Sequence, residues 1–155
     1  MNIHVEVITQ EGRLFEEQDA DMVIVPGSEG EMGVLPHHAP VLTTMGFGEL
    51  RIRKGDAEES FVIYGGVVDI RPGHVIALAD VAESSHSVDV AQAEQARTRA
   101  AELMTTGLPA DKAESIAVEL HRAELAVRVA QKVKTRARIR LRSIDDESSS
   151  TTTNN

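Results

Sequence analysis

The composition of this chain changes near Val88, and that change constrains the fold more than any other feature. Before it, glycine-containing turns such as Lys54-Gly55-Asp56 and Pro72-Gly73 separate short strand-like runs. One is an imperfect alternation over Ile3–Ile8, and the others are apolar runs at Met22–Val25, Leu50–Arg53, Phe61–Tyr64, Val67–Ile70 and Val75–Leu78. Many short strands separated by regular turn signals indicate an all-β sandwich or barrel. After it, glycine and proline nearly disappear, and the good helix formers Ala, Glu, Gln and Arg dominate. The sequence therefore predicts a β domain over residues 1–84 and helices over residues 88–142.

The second part predicts two helices joined by a tight turn. Ser87 is expected to cap a first helix from Val88 to about Met104, and Gly107 and Pro109 interrupt the pattern. A second helix then runs to about Ala137, which makes an antiparallel hairpin. Its apolar residues recur at helical spacing as one stripe: Ile116, Leu120, Ala123, Val127 and Ala130. Because burying Ala stabilises less than burying Leu, this hairpin is expected to dock weakly.

Two segments are expected to lack regular structure. Ala82–Ser87 is serine-rich and is predicted to be a hinge between the β domain and the hairpin. Residues 143–155 are polar and are predicted to form a disordered tail. Between the hairpin and this tail, Arg136–Arg142 alternates basic and apolar residues, a pattern compatible with a frayed helix or with extended backbone.

Composition argues against several classes of function. The chain has 25 acidic and 16 basic residues, a formal net charge of -9 and few aromatic residues, which makes it a poor candidate for binding nucleic acid. It has no cysteine, and its histidines show no metal-binding spacing such as HExxH, so no metal site is expected. No Ser–His–Asp arrangement is visible, and an enzymatic reading has only unassigned carboxylates and histidines behind it, so no catalytic residue is proposed. No run is apolar and long enough to span a bilayer, so any contact with a membrane is expected to go through a partner.

The segment Pro26–Leu42 is unusually rich in turn-forming residues. It holds three glycines and three prolines in 17 residues, and it also carries Glu29, Glu31 and His38. The two carboxylates and the absence of a GK[ST] ending argue against a phosphate-binding loop. The segment is either a structural loop between strands or an exposed polar platform that docks a partner, because binding residues often lie on ordered loops.

Basic residues are concentrated near the end of the second helix. Leu125–Arg142 contains seven of the 16 basic residues and no acidic one. Such a block is either a solvated basic face or a binding surface. Closely spaced like charges repel one another unless an opposite charge relieves them, which favours an acidic protein segment as the partner. The block comprises Arg128, Lys132, Lys134, Arg136, Arg138, Arg140 and Arg142.

Two long motifs carry a family resemblance. The run VPGSEGEMGVLPHHAPVLTTMGFGELRI (Val25–Ile52) and the run YGGVVDIRPGHVIALAD (Tyr64–Asp80) resemble the signatures of the epsilon subunit of bacterial rotary proton-translocating ATP synthases. The Ala-rich tail resembles the third part of that subunit. The resemblance implies a mixed β-then-α fold, with an N-terminal ten-stranded β-sandwich followed by a C-terminal antiparallel two-helix hairpin.

The resemblance also implies a function. It places the chain in the central stalk as a non-catalytic, peripheral rotor subunit on the cytoplasmic face of the bacterial cell membrane. The sandwich would contact the gamma subunit and the c-ring through Glu29, Glu31 and His38. The hairpin would either fold on the sandwich or extend towards an acidic segment of the beta subunits and inhibit ATP hydrolysis. In the extended form the beta subunits would be met by Arg128, Lys132, Lys134, Arg136 and Arg138.

Some members of the family also bind ATP on the folded hairpin. The positions that match their pattern here are Asp89, Ala93, Arg99 and Arg122. Gln92 and Ala126 stand where the pattern has basic residues, which removes charge-assisted contacts that phosphates need. We therefore expect weak ATP binding or none, and no other cofactor. The alternative function, a free-standing nucleotide sensor, would need the missing arginines.

Overall fold

A computed structural model describes the backbone of residues 1–149 and the side chains of residues 1–136. Over this range the chain forms eight strands followed by two helices. The strands are β1 (Ile3–Thr9), β2 (Gly12–Ala20), β3 (Met22–Gly27), β4 (Gly30–Val34), β5 (Val41–Lys54), β6 (Ala57–Arg71), β7 (His74–Ala79) and β8 (Ala82–Ser84). The helices are α1 (Val90–Thr105) and α2 (Ala110–Ser149).

The strands form two layers that share β5 and β6. The hydrogen-bonded order is β2-β1-β7-β6-β5-β3-β4, with β8 also paired to β6. The second half of β6 pairs with β7, whereas its first half pairs with β8. Apolar residues from both layers meet in one buried cluster that includes Val5, Leu50, Ile63 and Val68. The β domain is therefore a sandwich around a single core.

Glycines allow the two long strands to cross between the layers. Met45 pairs with Gly66 and Phe47 pairs with Tyr64, so Gly46 lies opposite Gly65 at the crossing. Gly66 has φ of 130°, and a Cβ there would lie only 2.2 Å from the carbonyl oxygen of Leu78. A side chain at position 66 would thus clash with the backbone of β7.

The prediction of ten strands is wrong in number, although the sandwich and the two helices are present. The structure has eight strands over the described residues because β5 and β6 continue through the crossing without a break. Counting each of these long strands once per layer gives five segments in each layer. The difference therefore lies in how two bent strands are counted.

Three strands, β2, β4 and β8, arise where the sequence predicted none. β2 carries mostly exposed side chains, and among the described strands it pairs with β1 alone, so it lacks the apolar alternation of a core strand. β4 lies inside the segment that was read as a loop, where it forms a hairpin with β3. The ends of that segment belong to β3 and β5, and only the turn at residues 28–29 and the connection at residues 35–40 lie outside the strands. A loop is thus present over only part of Pro26–Leu42.

The helical hairpin begins later than predicted. The cap of α1 is Asp89, whose carboxylate accepts a hydrogen bond from the backbone N–H of Gln92 at 3.1 Å. Ser87, the predicted cap, instead donates its hydroxyl to the carbonyl oxygen of Ser84 at 2.8 Å. The four residues between α1 and α2 include Gly107 with φ of 73°. Because this connection is short and the helices pack together, they are antiparallel.

The predicted hinge is shorter than expected, and the second helix is longer. Ala82–Ser84 is strand β8, and the buried Ser85 donates its backbone N–H to the carbonyl oxygen of Ser60, so the connection from the sandwich to α1 starts at residue 86. α2 continues to Ser149 because no glycine or proline interrupts it, and Arg136–Arg142 is therefore helical. The predicted disorder of residues 143–149 is replaced by helix, and residues 150–155 lie outside the described residues.

Candidate functional site

The outer face of the sandwich receives α2 through a small apolar patch. Val62 and Tyr64 of β6 point away from the sandwich core because they alternate with the inward-facing Phe61 and Ile63. They pack against Leu125 and Val129 of α2, with Phe47 and Val88 at the edge. Leu125 and Val129 do not belong to the apolar stripe predicted from the sequence.

Beside this patch, a buried carboxylate holds the helix by charge. Glu49 of β5 is only 6% exposed and accepts a hydrogen bond from the Ser60 hydroxyl at 2.5 Å. Lys132 of α2 donates to the other carboxylate oxygen at 3.0 Å, and Arg136 lies 3.6 Å from Glu49. Arg136 also pairs with Glu58 of β6. We call Glu49, Glu58, Lys132 and Arg136 the ionic clasp.

The surroundings of Glu49 stabilise the ionised form of its carboxylate, and its pKa is lowered. Burial by itself would raise this pKa above its ordinary value. The hydrogen bonds from Ser60 and Lys132, together with the charges of Lys132 and Arg136, outweigh burial and lower it. Glu49 is therefore an ionised anchor for α2 at neutral pH.

The ionic clasp uses part of the predicted basic block. Lys132 and Arg136 contact the sandwich of their own chain, whereas Lys134 is exposed. Arg128 is exposed as well and lines a recess of about 440 Å³ with Glu31 and Phe47. The side chain of Arg138 lies outside the described side chains. The contact of this block with beta subunits stays a prediction.

A second recess brings together most of the predicted ATP-binding residues. It has a volume of about 330 Å³ and lies between the sandwich and both helices. Asp89, Ala93 and Arg122 line it, and so do Gln92 and Ala126. Arg99 lies elsewhere on α1, where it lines an open groove with Glu94 and Gln95. The structure therefore assembles three of the four residues.

The electrostatics of this recess suit phosphate poorly. Arg122 is its one cation among the described lining residues, whereas Glu83, Asp89 and Glu119 are acidic. The Arg122 guanidinium lies 4.9 Å from the centroid of the Tyr64 ring, and its buried Nε has no hydrogen-bond partner among the described residues. The Tyr64 hydroxyl donates to Glu83 at 2.8 Å, and burial followed by this bond raises the Tyr64 pKa. One cation among three carboxylates agrees with weak phosphate binding.

The predicted docking residues do not share one environment. Glu29 is exposed at the tip of the β3–β4 hairpin, whereas Glu31 pairs with Arg51 at 3.1 Å and lines the recess beside α2. His38 lies in the connection between β4 and β5, where its backbone N–H donates to Leu35. The backbone N–H of Gly73 donates to Pro36 at 2.7 Å, which places this connection beside the β6–β7 turn.

Two exposed leucines next to His38 were missed by the sequence analysis. Leu35 is 57% exposed and Leu42 is 72% exposed. They flank the connection that holds His38, Pro36 and Pro40. The sequence signal for exposed apolar residues was the occurrence of each leucine beside a proline in a turn-rich segment, Leu35-Pro36 and Pro40-Val41-Leu42.

None of the helices over the described residues is long and apolar enough to cross a membrane. The family model described as the beta-sandwich domain of the ATP synthase delta/epsilon chain matches residues 2–85. This chain belongs to the ATP synthase delta/epsilon family. As a member of that family it is a non-catalytic subunit of ATP synthase.

Relatives of this delta/epsilon chain cover both the sandwich and the helices. The ATP synthase epsilon chain of Dehalococcoides mccartyi is 39% identical over 131 residues, which cover 84% of this chain and 93% of that relative. The ATP synthase epsilon chain of Chloroflexus aggregans is 42% identical over 100 residues, 64% of this chain and 71% of that relative. A chain in the mitochondrial ATP synthase of Euglena gracilis, solved by cryo-EM as OSCP/F1/c-ring, shares the fold. Its TM-score is 0.66 at 19% identity, and the match covers 88% of this chain and 81% of that one.

Proposed function

We propose that this subunit couples the rotor to the catalytic head and that its helical hairpin is a brake on ATP hydrolysis. The observation that carries the proposal is the ionic clasp. Lys132 and Arg136 hold the docked hairpin to Glu49 and Glu58, and both cations belong to the block expected to meet acidic beta-subunit residues. The same charges would serve two alternative contacts, which makes the docked and extended positions compete.

The size of the docking contact suits an element that moves. Besides the ionic clasp, α2 is held by the small apolar patch, by the Arg122 guanidinium over the Tyr64 ring and by the stacking of His121 on Phe47. The sandwich has its own larger core. When two states differ in free energy by a few kcal/mol, a ligand or a change in charge that favours one of them can shift their relative populations. The connection over residues 86–88 is short, and the hairpin can leave without disturbing β8.

We place the contact with the gamma subunit and the c-ring at the end of the sandwich that carries His38. Exposed Leu35 and Leu42 supply apolar area there, and Glu29 adds an exposed charge at the β3–β4 tip. Through these contacts the subunit would lie at the cytoplasmic face of the bacterial membrane without entering it. Exchange of Glu29 and Glu31 for Lys is expected to weaken ATP-driven proton pumping, and unchanged pumping would contradict this placement.

Truncation tests the brake in the assembled complex. A chain ending after Val88 keeps every strand and is expected to assemble with the other subunits. A chain ending after Arg142 keeps the clasp residues and is the matched control. The first complex should hydrolyse ATP faster than the intact one, and the second should not. If neither rate rises while subunit composition is unchanged, the helices serve only assembly.

A further inference from the structure

The outer face of the other sandwich layer carries a cluster of metal-ligating side chains. His4 and Glu6 of β1 point outward because they alternate with the buried Ile3, Val5 and Val7. His74 of β7 is the direct neighbour of His4 in the parallel ladder. Glu16 of β2 is the neighbour of Glu6 on the other side. The pairing of three strands thus gathers two imidazoles and two carboxylates, which we call the outer-face cluster.

The atoms of this cluster lie close together. The donor atoms of His4, Glu6 and His74 all lie within 4.8 Å of one another. His74 Nε2 is 3.3 Å from Glu6 Oε1, and His4 Nε2 is 2.8 Å from Glu16 Oε1. The imidazole rings are parallel, with centroids 4.7 Å apart. Ligands at the usual zinc bond lengths of about 2.0–2.2 Å in a tetrahedron are roughly 3.4 Å apart. Small rotations of the side chains would therefore reach that geometry.

We propose that the outer-face cluster binds one divalent transition-metal ion of the Zn²⁺ class. Two imidazoles with carboxylates are ligands that Zn²⁺ accepts, whereas Mg²⁺ and Ca²⁺ prefer oxygen alone. Both histidine side chains are more than a third exposed, which leaves a path for the ion. The spacing of histidines along the sequence did not reveal the cluster, because His4 and His74 meet only through the β1–β7 pairing.

Arg13 of β2 competes with the ion. Its guanidinium pairs with Glu16 and lies 3.7 Å from Glu6 Oε2, so it neutralises both carboxylates. A metal ion must displace this cation, which lowers its affinity. Bound zinc would join β2, β1 and β7, and ligand binding to the folded state alone raises thermal stability.

The proposal is tested by titrating the full-length chain with ZnCl₂ in a calorimeter and by thermal unfolding with and without zinc. One zinc ion per chain is expected, with a higher Tm. His4→Ala and His74→Ala should each weaken binding at least as much as the roughly 10- to 100-fold typical of removing a partner of a ligand. The exposed His37 supplies the control, since His37→Ala should bind like the unchanged chain. Arg13→Gln should bind more tightly, and MgCl₂ should not bind.

Each other result overturns the proposal. Zinc binding that survives both His4→Ala and His74→Ala would place the ion elsewhere. Absence of binding in both the unchanged chain and Arg13→Gln would show that the cluster is not a site. Binding by Arg13→Gln alone would show that the guanidinium closes it. Thermal unfolding of the histidine variants in the absence of zinc shows whether these variants are folded. The Arg13→Gln variant retains all four proposed ligands, so it tests the site without removing one of them.

Discussion

Glu49 combines deep burial with an ionised carboxylate, and it does so at the surface where the helices dock. Its partners come from both sides, with Ser60 on the sandwich and Lys132 on α2. Only Glu49 is buried, since the Lys132 side chain is 47% exposed, so removing Lys132 leaves a buried charge with less compensation, which costs more than an exposed ion pair contributes. Glu49 is therefore the residue through which the docked position is most directly perturbed.

The charge of Glu49 makes docking sensitive to acid. Its pKa in the docked state is below the ordinary value of 4.5, so its stabilising contribution is complete above that value. The contribution is lost as the pH falls through the lowered pKa. We expect the hairpin to leave the sandwich in this range below pH 4.5. Because the chain lacks cysteine, fluorophores on Gln18→Cys and Ser115→Cys, both exposed positions, report the separation by energy transfer.

Two variants control this experiment. Glu49→Gln should favour release at neutral pH by about 1–2 kcal/mol, since Lys132 is partly solvated, and should weaken the acid-induced step. Glu59→Gln changes an exposed neighbour on β6 and should titrate like the unchanged chain. An acid-induced step that is identical in Glu49→Gln and the unchanged chain would assign it to another group.

The recess around Arg122 gives a second prediction for single residues. Gln92→Arg together with Ala126→Arg would add two cations to a recess in which three carboxylates face one arginine. Charge-assisted hydrogen bonds to phosphate contribute about 1.5–3 kcal/mol each, so ATP binding should strengthen markedly. Calorimetry measures the affinity for ATP, and Lys112→Arg at the exposed start of α2 is the control that should leave this affinity unchanged. Micromolar binding by the unchanged chain would contradict the expected weak site.

Some of these residues could be predicted from the sequence and others could not. The basic block was visible because seven cations without an acid are a local pattern. That Glu49 is its buried partner could not be predicted, because a single glutamate in a strand is usually a solvent-facing residue. The sequence could not show that Arg99 lies outside the recess that Arg122 lines, since only the packing of the two helices decides which face of each helix lines it.

At the scale of elements, the sequence predicted the strands that carry an apolar alternation or a short apolar run between turns. β1 alternates up to Val7, and β7 is a short apolar run between turns. β2 was missed because an edge strand that pairs on one side needs little apolar surface. The run Phe61–Tyr64 contained an unused signal, since four consecutive buried apolar residues indicate a strand covered on both faces. That covering is α2.

The apolar patch under α2 predicts how the hairpin can be freed without harming the sandwich. Leu125 is 2% exposed, so Leu125→Ala should cost about 2–5 kcal/mol of docking energy. The energy-transfer pair should report release, while the unfolding transition of the sandwich stays in place. Val118→Ala on the same helix is the control, because Val118 is 44% exposed. Loss of the sandwich transition itself in Leu125→Ala would contradict independent docking.

At the scale of the whole molecule, the core of the sandwich is much larger than the surface on which the helical hairpin docks. Among the described residues, the core of the sandwich is built from strand residues alone, with β5 and β6 shared by both layers. In the docked position the hairpin is held by the apolar patch, by the ionic clasp and by the contacts of His121 and Arg122 with the rings of Phe47 and Tyr64, and all of these would be exposed to water if it left. A stable body with a weakly held arm is the arrangement that a regulated brake requires.

The most direct measurement is the rate of ATP hydrolysis in complexes of identical subunit composition. Glu49→Gln should shift the hairpin towards the extended form about 5- to 30-fold, the factor equivalent to 1–2 kcal/mol, and should lower hydrolysis. Truncation after Val88 should raise hydrolysis, and Glu59→Gln should leave it unchanged. Opposite signs for the first two changes are what a two-position brake predicts. An unchanged rate in Glu49→Gln, or a change with the same sign as truncation, would contradict it.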